Sequence, residues 1–165
     1  MISCITLNAT AQCKYVKSTK DEWSGKTMNT AQMTIGAAIA GREVILQKSE
    51  DGKYYLSLRI TYNMDFPEVT FKKGDKVSFK LSNGDLIEIT PPQDVTPFTL
   101  RFLDVPIRHW IVTQEVKASV FEQLANAQIT AIKYRLNGNE YPLPEIKDRQ
   151  TSKIMETAKC MLTDK

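Results

Sequence analysis

Residues 131–143, AIKYRLNGNEYPL, decide how this chain is read. Asn137-Gly138 is the strongest short-range signal for a two-residue hairpin loop, because both central positions of a type I′ turn take positive φ. A turn there pairs Leu136 with Asn139, Tyr134 with Tyr141 and Ile132 with Leu143. Apolar residues then meet on one face, while Arg135 faces Glu140 on the other. Turn chemistry and alternation agree on one register. Pro142 and Pro144 lack N–H donors, so the outer strand lies at a sheet edge or ends there.

Helical patterns flank this hairpin. Ser119-Val120-Phe121-Glu122 reads as a capping box, in which Ser119 accepts from the Glu122 backbone N–H and Glu122 reaches back. A short helix is expected over 119–126. On the other side, Ile154, Met155, Ala158, Met161 and Leu162 recur at helical spacing and predict a helix over 149–162. Cys160 falls opposite that stripe, which predicts an accessible thiol.

Upstream the pattern is β. Residues 13–19 and 27–35 read as strands around an Asp-, Ser- and Gly-bearing turn that holds Trp23. Residues 43–49 and 53–64 form a hairpin whose three-residue loop, Glu50-Asp51-Gly52, pairs Leu46 with Leu56 and Val44 with Leu58. By the same argument Ser82-Asn83-Gly84 pairs Phe79 with Ile87 and Val77 with Ile89. The segment 90–97, TPPQDVTP, is too rich in proline to supply ladder donors and reads as a loop. Strands follow at 98–103 and 107–113, with Asp104-Val105-Pro106 as their connection.

At 165 residues the chain is long enough for one domain with its own core. The 22 basic residues against 19 acidic ones leave a net charge of +3, too small an excess to point to nucleic acid. No apolar run approaches the roughly 20 residues that span a bilayer. Residues 1–11, MISCITLNATA, carry no charge and end in Ala9-Thr10-Ala11, the small-residue arrangement of a secretory cleavage site. They read as the remnant of a leader, with 12–165 as a single β-rich domain; a short N-terminal strand is the competing reading. Export would leave Cys13 and Cys160 in an oxidising compartment that permits a disulfide, with two unpaired thiols as the alternative.

Chemistry is harder to find. Residues 36–41, GAAIAG, fail as a phosphate loop, because Arg42 and Glu43 stand where Lys and Ser/Thr are needed. His109 has no second His, Cys or carboxylate at ligand spacing, so it reads as structural. No metal or cofactor motif is present. The candidate binding residues are Trp23, a stacking platform or a cover for a sheet edge; Asp94, in the proline loop; and Lys72, Lys73, Lys76 and Lys80. That lysine cluster would attract an anion or simply form a solvated strand face.

Three stretches, CKYVKSTKDEWSGKT (13–27), KKGDKVSFKLSNGDLIEI (72–89) and VTQEVKASVFEQLANAQITAIKYRLNGNEYPLPEI (112–146), carry a resemblance. The chain resembles a group of small exported β-rich proteins of unassigned function from Gram-negative anaerobic bacteria. The resemblance implies export to the periplasm or beyond and a late helix–hairpin–helix, and it implies no reaction. The GAAIAG segment and the proline loop are where this chain departs from the group.

The expectation is therefore an α+β domain of about nine or ten short antiparallel strands, sandwich-like or a partly open barrel, with two helices. The functional expectation is a non-enzymatic exported domain that binds a protein, glycan or other envelope component. The alternatives are a small hydrolase built on His109 with Asp104 or Glu88, and a polyanion binder using the lysines.

Overall fold

Residues 13–20, 22, 24–35, 41–143 and 146–163, those the computed structural model describes, form ten strands and two helices. In chain order these are β1 (Lys17–Lys20), β2 (Thr27–Ile35), β3 (Arg42–Ser49), β4 (Tyr54–Asn63), β5 (Val77–Leu81) and β6 (Leu86–Ile89). Then follow β7 (Phe98–Phe102), β8 (Val105–Val116), α1 (Ala118–Asn126), β9 (Ile129–Leu136), β10 (Asn139–Pro142) and α2 (Asp148–Thr163). The strands build a six-stranded sheet, β1-β2-β3-β4-β8-β7, and a four-stranded sheet, β10-β9-β5-β6. The fold is α+β and mostly antiparallel, with the second helix C-terminal.

Turn chemistry sets the registers. Asn137 and Gly138 both take positive φ, and Tyr134 pairs with Tyr141 and Leu136 with Asn139. Gly52 (φ +81°) lets the β3–β4 turn bulge, which aligns Leu46 with Leu56 and Val44 with Leu58. Phe79 likewise opposes Ile87 and Val77 opposes Ile89. Each register puts the apolar set on the inner face, and slipping by one residue would expose all of it.

The sheets and helices share one core, in which Trp110, Tyr134, Phe71, Phe79 and Phe121 are fully buried. Burying each such side chain contributes about 1.5–3 kcal/mol. Arg42 enters this core as a polar tie between the sheets. It donates to the Thr61 carbonyl (2.7 Å) and the Tyr134 hydroxyl (3.3 Å), and its guanidinium lies 4.3 Å from the Tyr62 ring centroid. The Tyr62 and Tyr134 hydroxyls are 2.5 Å apart. Burial, then the Tyr62 hydrogen bond, push the Tyr134 phenol above its ordinary range, with Arg42 acting in the opposite direction.

α2 packs on α1, β2 and β3, burying Ile154, Ala158 and Met161. Cys160 is half-buried and joined to Cys13, with their Cα atoms 5.8 Å apart. Of the two readings open for these cysteines the pairing is the one found, so Cys160 is not the free, accessible thiol that helical spacing predicted. That tether also explains why β1 begins at Lys17: residues 13–16 turn first, with the Val16 N–H on the Cys13 carbonyl.

Two further expectations change. α1 starts at Ala118 with Lys117 as its cap and no capping side chain, so Ser119 sits inside the helix and the capping box does not form. The β8 ladder with β4 runs to Val116, which leaves only Lys117 for the junction. The second change concerns the connection at 104–106. Val105 and Pro106 belong to β8, and the turn is Leu103-Asp104. The GAAIAG reading, except for Gly41, and the leader reading lie outside the described residues.

Candidate functional site

Sheet edges are where a β protein meets other chains, because their outward N–H and C=O groups are unpaired. The described strands leave four such edges. β1 reads KSTK and carries a lysine at each end. β10 ends in Pro142. β6 is four residues long and holds Glu88, whose carboxylate takes Lys76 Nζ at 2.8 Å. Each of these three has a charge or a proline that discourages pairing.

β7 reads FTLRF; it carries one charge, Arg101, and no proline, and is set apart by the apolar side chains it exposes, Phe98 and Leu100. It pairs along its whole length with β8, from Phe98↔His109 to Phe102↔Val105, and presents its other side outward. At its tip Leu103 (φ +46°) and Asp104 (φ +63°) both take positive φ, the geometry of a type I′ turn. Leucine is disfavoured there, since the left-handed region costs a residue with a Cβ roughly 1–2 kcal/mol. Leu103 is nevertheless 82% exposed, and Val105 (55%), Leu100 (52%) and Phe98 (40%) extend the apolar surface along the hairpin. Backbone strain and a large apolar side chain turned to water both weigh against stability, and such features cluster at functional positions.

Behind the hairpin lies the outer face of the six-stranded sheet. Phe98 stacks on His109 with ring centroids 5.4 Å apart, and His109 Nδ1 is 3.1 Å from Thr61 Oγ1. Burial lowers the His109 pKa below its ordinary value, the Arg59 charge lowers it further, and Glu43 opposes both. Arg59 pairs with Glu43 at 2.8 Å. The carboxylates named as partners for His109 are elsewhere. Glu88 is on the other sheet, bonded to Lys76 and Ser78. Asp104 is at the hairpin tip, five residues along β8, or about 16 Å at strand rise.

The lysine cluster is also dispersed. Lys72 Nζ pairs with Asp94 at 2.9 Å, and the other Asp94 oxygen accepts from the Lys73 N–H at 2.8 Å. These bonds lower the Asp94 pKa, the Lys73 N–H most strongly. Asp94 thus clasps the proline loop to residues 72–73, next to the Phe71–Val95 bridge. Lys76 is occupied by Glu88, and Ser78 is buried beside the same carboxylate. Among the described residues only Lys73 and Lys80 of the four make no ion pair, a weak source of attraction for a polyanion.

Trp23 lies outside the described residues. An open groove of about 690 Å³ runs between the β1–β2 and β3–β4 turns. Lys20, Lys26 and Lys53 line it together with Glu22 and Asp51, so it offers no single sign of charge. Among the described residues no group of three or more His, Cys, Asp or Glu is placed to hold a metal ion. No helix among them is long and apolar enough to cross a membrane.

The sequence reading missed the β7–β8 tip. Its signal was present in the alternation of Phe98, Leu100 and Phe102, which continues through Val105 and Ile107 if Leu103-Asp104 is the turn. Compared with protein-family models, curated proteins and solved structures, the chain matches none.

Proposed function

We propose that this chain is an exported, non-enzymatic binding domain whose β7 edge takes up an extended strand from a protein partner. The observation that carries the reading is the β7–β8 hairpin, an edge that exposes Phe98 and Leu100 and ends in a strained, exposed Leu103. Strand addition suits it, since backbone bonds supply affinity and alternate side chains supply selectivity. The Cys13–Cys160 disulfide supports an oxidising compartment, where such bridges persist.

Arg101→Pro tests the reading. Arg101 opposes Pro106 across the β7–β8 ladder, at a site that needs no N–H, so a proline there removes an outward donor and keeps the hairpin. In the native host, the wild-type protein is expected in the envelope or secreted fraction, disulfide-bonded and larger than a monomer. Arg101→Pro is expected to release it as a monomer. A cytoplasmic protein with free thiols, or an assembly indifferent to Arg101→Pro, overturns the proposal.

A further inference from the structure

We infer that the strand accepted by β7 is β7 of a second copy of this chain, paired antiparallel about a two-fold axis through Leu100. This rests on the reading of β7 as the interaction edge and names its partner.

The backbone fixes which groups are available. In a two-residue hairpin the pair next to the turn exchanges both of its hydrogen bonds, and successive pairs alternate. Phe102↔Val105 is that pair, so Phe102, Leu100 and Phe98 turn their backbone groups toward β8. Thr99 and Arg101 turn theirs outward. Pro106 fits this assignment, since it lies opposite Arg101, where β8 gives no N–H to β7.

An antiparallel two-fold through Leu100 sets Thr99 against Arg101 of the second copy, and Arg101 against its Thr99. Those are the residues with outward donors and acceptors, so the ladder closes with four hydrogen bonds, two from each pair. Shifting the two strands by one residue would break this match.

Side chains obey the same symmetry. Phe98-Thr99-Leu100-Arg101-Phe102 reads apolar, polar, apolar, polar, apolar in both directions. Self-pairing therefore sets position 100 opposite its own copy and position 98 opposite 102, apolar residues in each case, with Thr opposite Arg at the alternate positions. Arg101 is the strand's one charge, and no like charges stand directly opposite. Leu103 falls beside Pro97 of the second copy, which gives the exposed tip an apolar contact. The isologous geometry requires only one surface patch.

The strand has five residues, so the interface falls in the small class, under roughly 1,200 Å², and the dimer is a reversible one. Purified full chain carrying Cys4→Ser is the material for the test. Sedimentation velocity from low micromolar to near-millimolar protein is expected to show a monomer–dimer equilibrium. Leu100→Lys, which sets two ammonium groups opposite each other, weakens it at least about tenfold. Under mild oxidation Leu100→Cys gives a reducible covalent dimer much faster than Leu86→Cys, an exposed control on the other sheet.

A wild type that stays monomeric throughout, a dimer indifferent to Leu100→Lys, or equal cross-linking at 100 and 86 overturns the inference. If it fails while Arg101→Pro still dissolves an assembly in the host, the edge binds a different protein. If Arg101→Pro changes nothing there either, the reading of β7 as the interaction edge falls too.

Discussion

The β9–β10 and β7–β8 hairpins have the same turn in opposite surroundings. Both reverse the chain in two residues with positive φ, Asn137-Gly138 in one and Leu103-Asp104 in the other. In β9–β10 the turn residues are the ones that tolerate this geometry, and the inner face is packed: Tyr134 is 1% exposed and stacks on Tyr141 at 5.3 Å. In β7–β8 a leucine occupies the strained position, and Phe98 and Leu100 of the first strand are exposed. One hairpin was built for stability. The other carries a strained turn and leaves apolar side chains in water.

The largest test of that contrast compares aromatic truncations. Tyr134→Ala removes a buried ring and both hydroxyl contacts, and is expected to lower unfolding stability by about 3–5 kcal/mol. Phe98→Ala, on the half-exposed edge, is expected to cost the monomer less than about 1 kcal/mol. Urea denaturation of dilute protein checks both. Comparable losses would mean that β7 is part of the core scaffold and the contrast is false.

Exchanging the turn residues sharpens it. Leu103→Asn puts a residue that tolerates positive φ at the tip, and is expected to stabilise the monomer by about 1 kcal/mol. In a chain of this size that is a rise of about 2–4 °C in Tm. The reverse change, Asn137→Leu, is expected to destabilise by a similar amount, since φ there is +51°. Leu103→Asn should also weaken self-association, a gain in stability coupled to a loss of function. A tip variant that is less stable and associates unchanged would break the argument from strain.

Asn-Gly, Glu-Asp-Gly and Ser-Asn-Gly were legible because glycine or asparagine names the turn, and alternating apolar residues then admit a single register. α2 and its packed face were legible from helical spacing alone. The β7–β8 turn was not. Leu-Asp carries no turn signal, and Pro106 read as a breaker when it occupies a ladder position that needs no N–H. The ties that join the elements were also invisible. Arg42 meets Tyr134 across 92 residues and Cys13 meets Cys160 across 147, and nothing local in a sequence encodes such distances. The candidate edge emerged for the same reason: an edge exists only after strand order is known, and strand order is set by tertiary packing.

The smallest expected effect comes from protons. His109 is the chain's single histidine and lies beneath Phe98 of the displayed hairpin, so its NMR signals give an unambiguous titration. Burial and Arg59 hold its pKa below the ordinary 6.5, against the pull of Glu43. Above that value the ring is neutral in both folded and unfolded chains, and its contribution to stability is fully present. As pH falls from 6.5 through the lowered folded value, the unfolded chain takes the proton first, and stability declines. His109→Gln should flatten this part of the pH profile. Phe98→Ala should move the His109 titration back toward 6.5, because the stacked Phe98 ring is part of its cover. Tyr134, held neutral by its raised pKa, adds nothing in this range. If β7 pairs with a second copy, Phe98 gains cover, so the His109 titration should move lower still as protein concentration rises. A titration that ignores both concentration and Phe98→Ala would place the source of the shift in Arg59 and the sheet behind it, and leave β7 without a share.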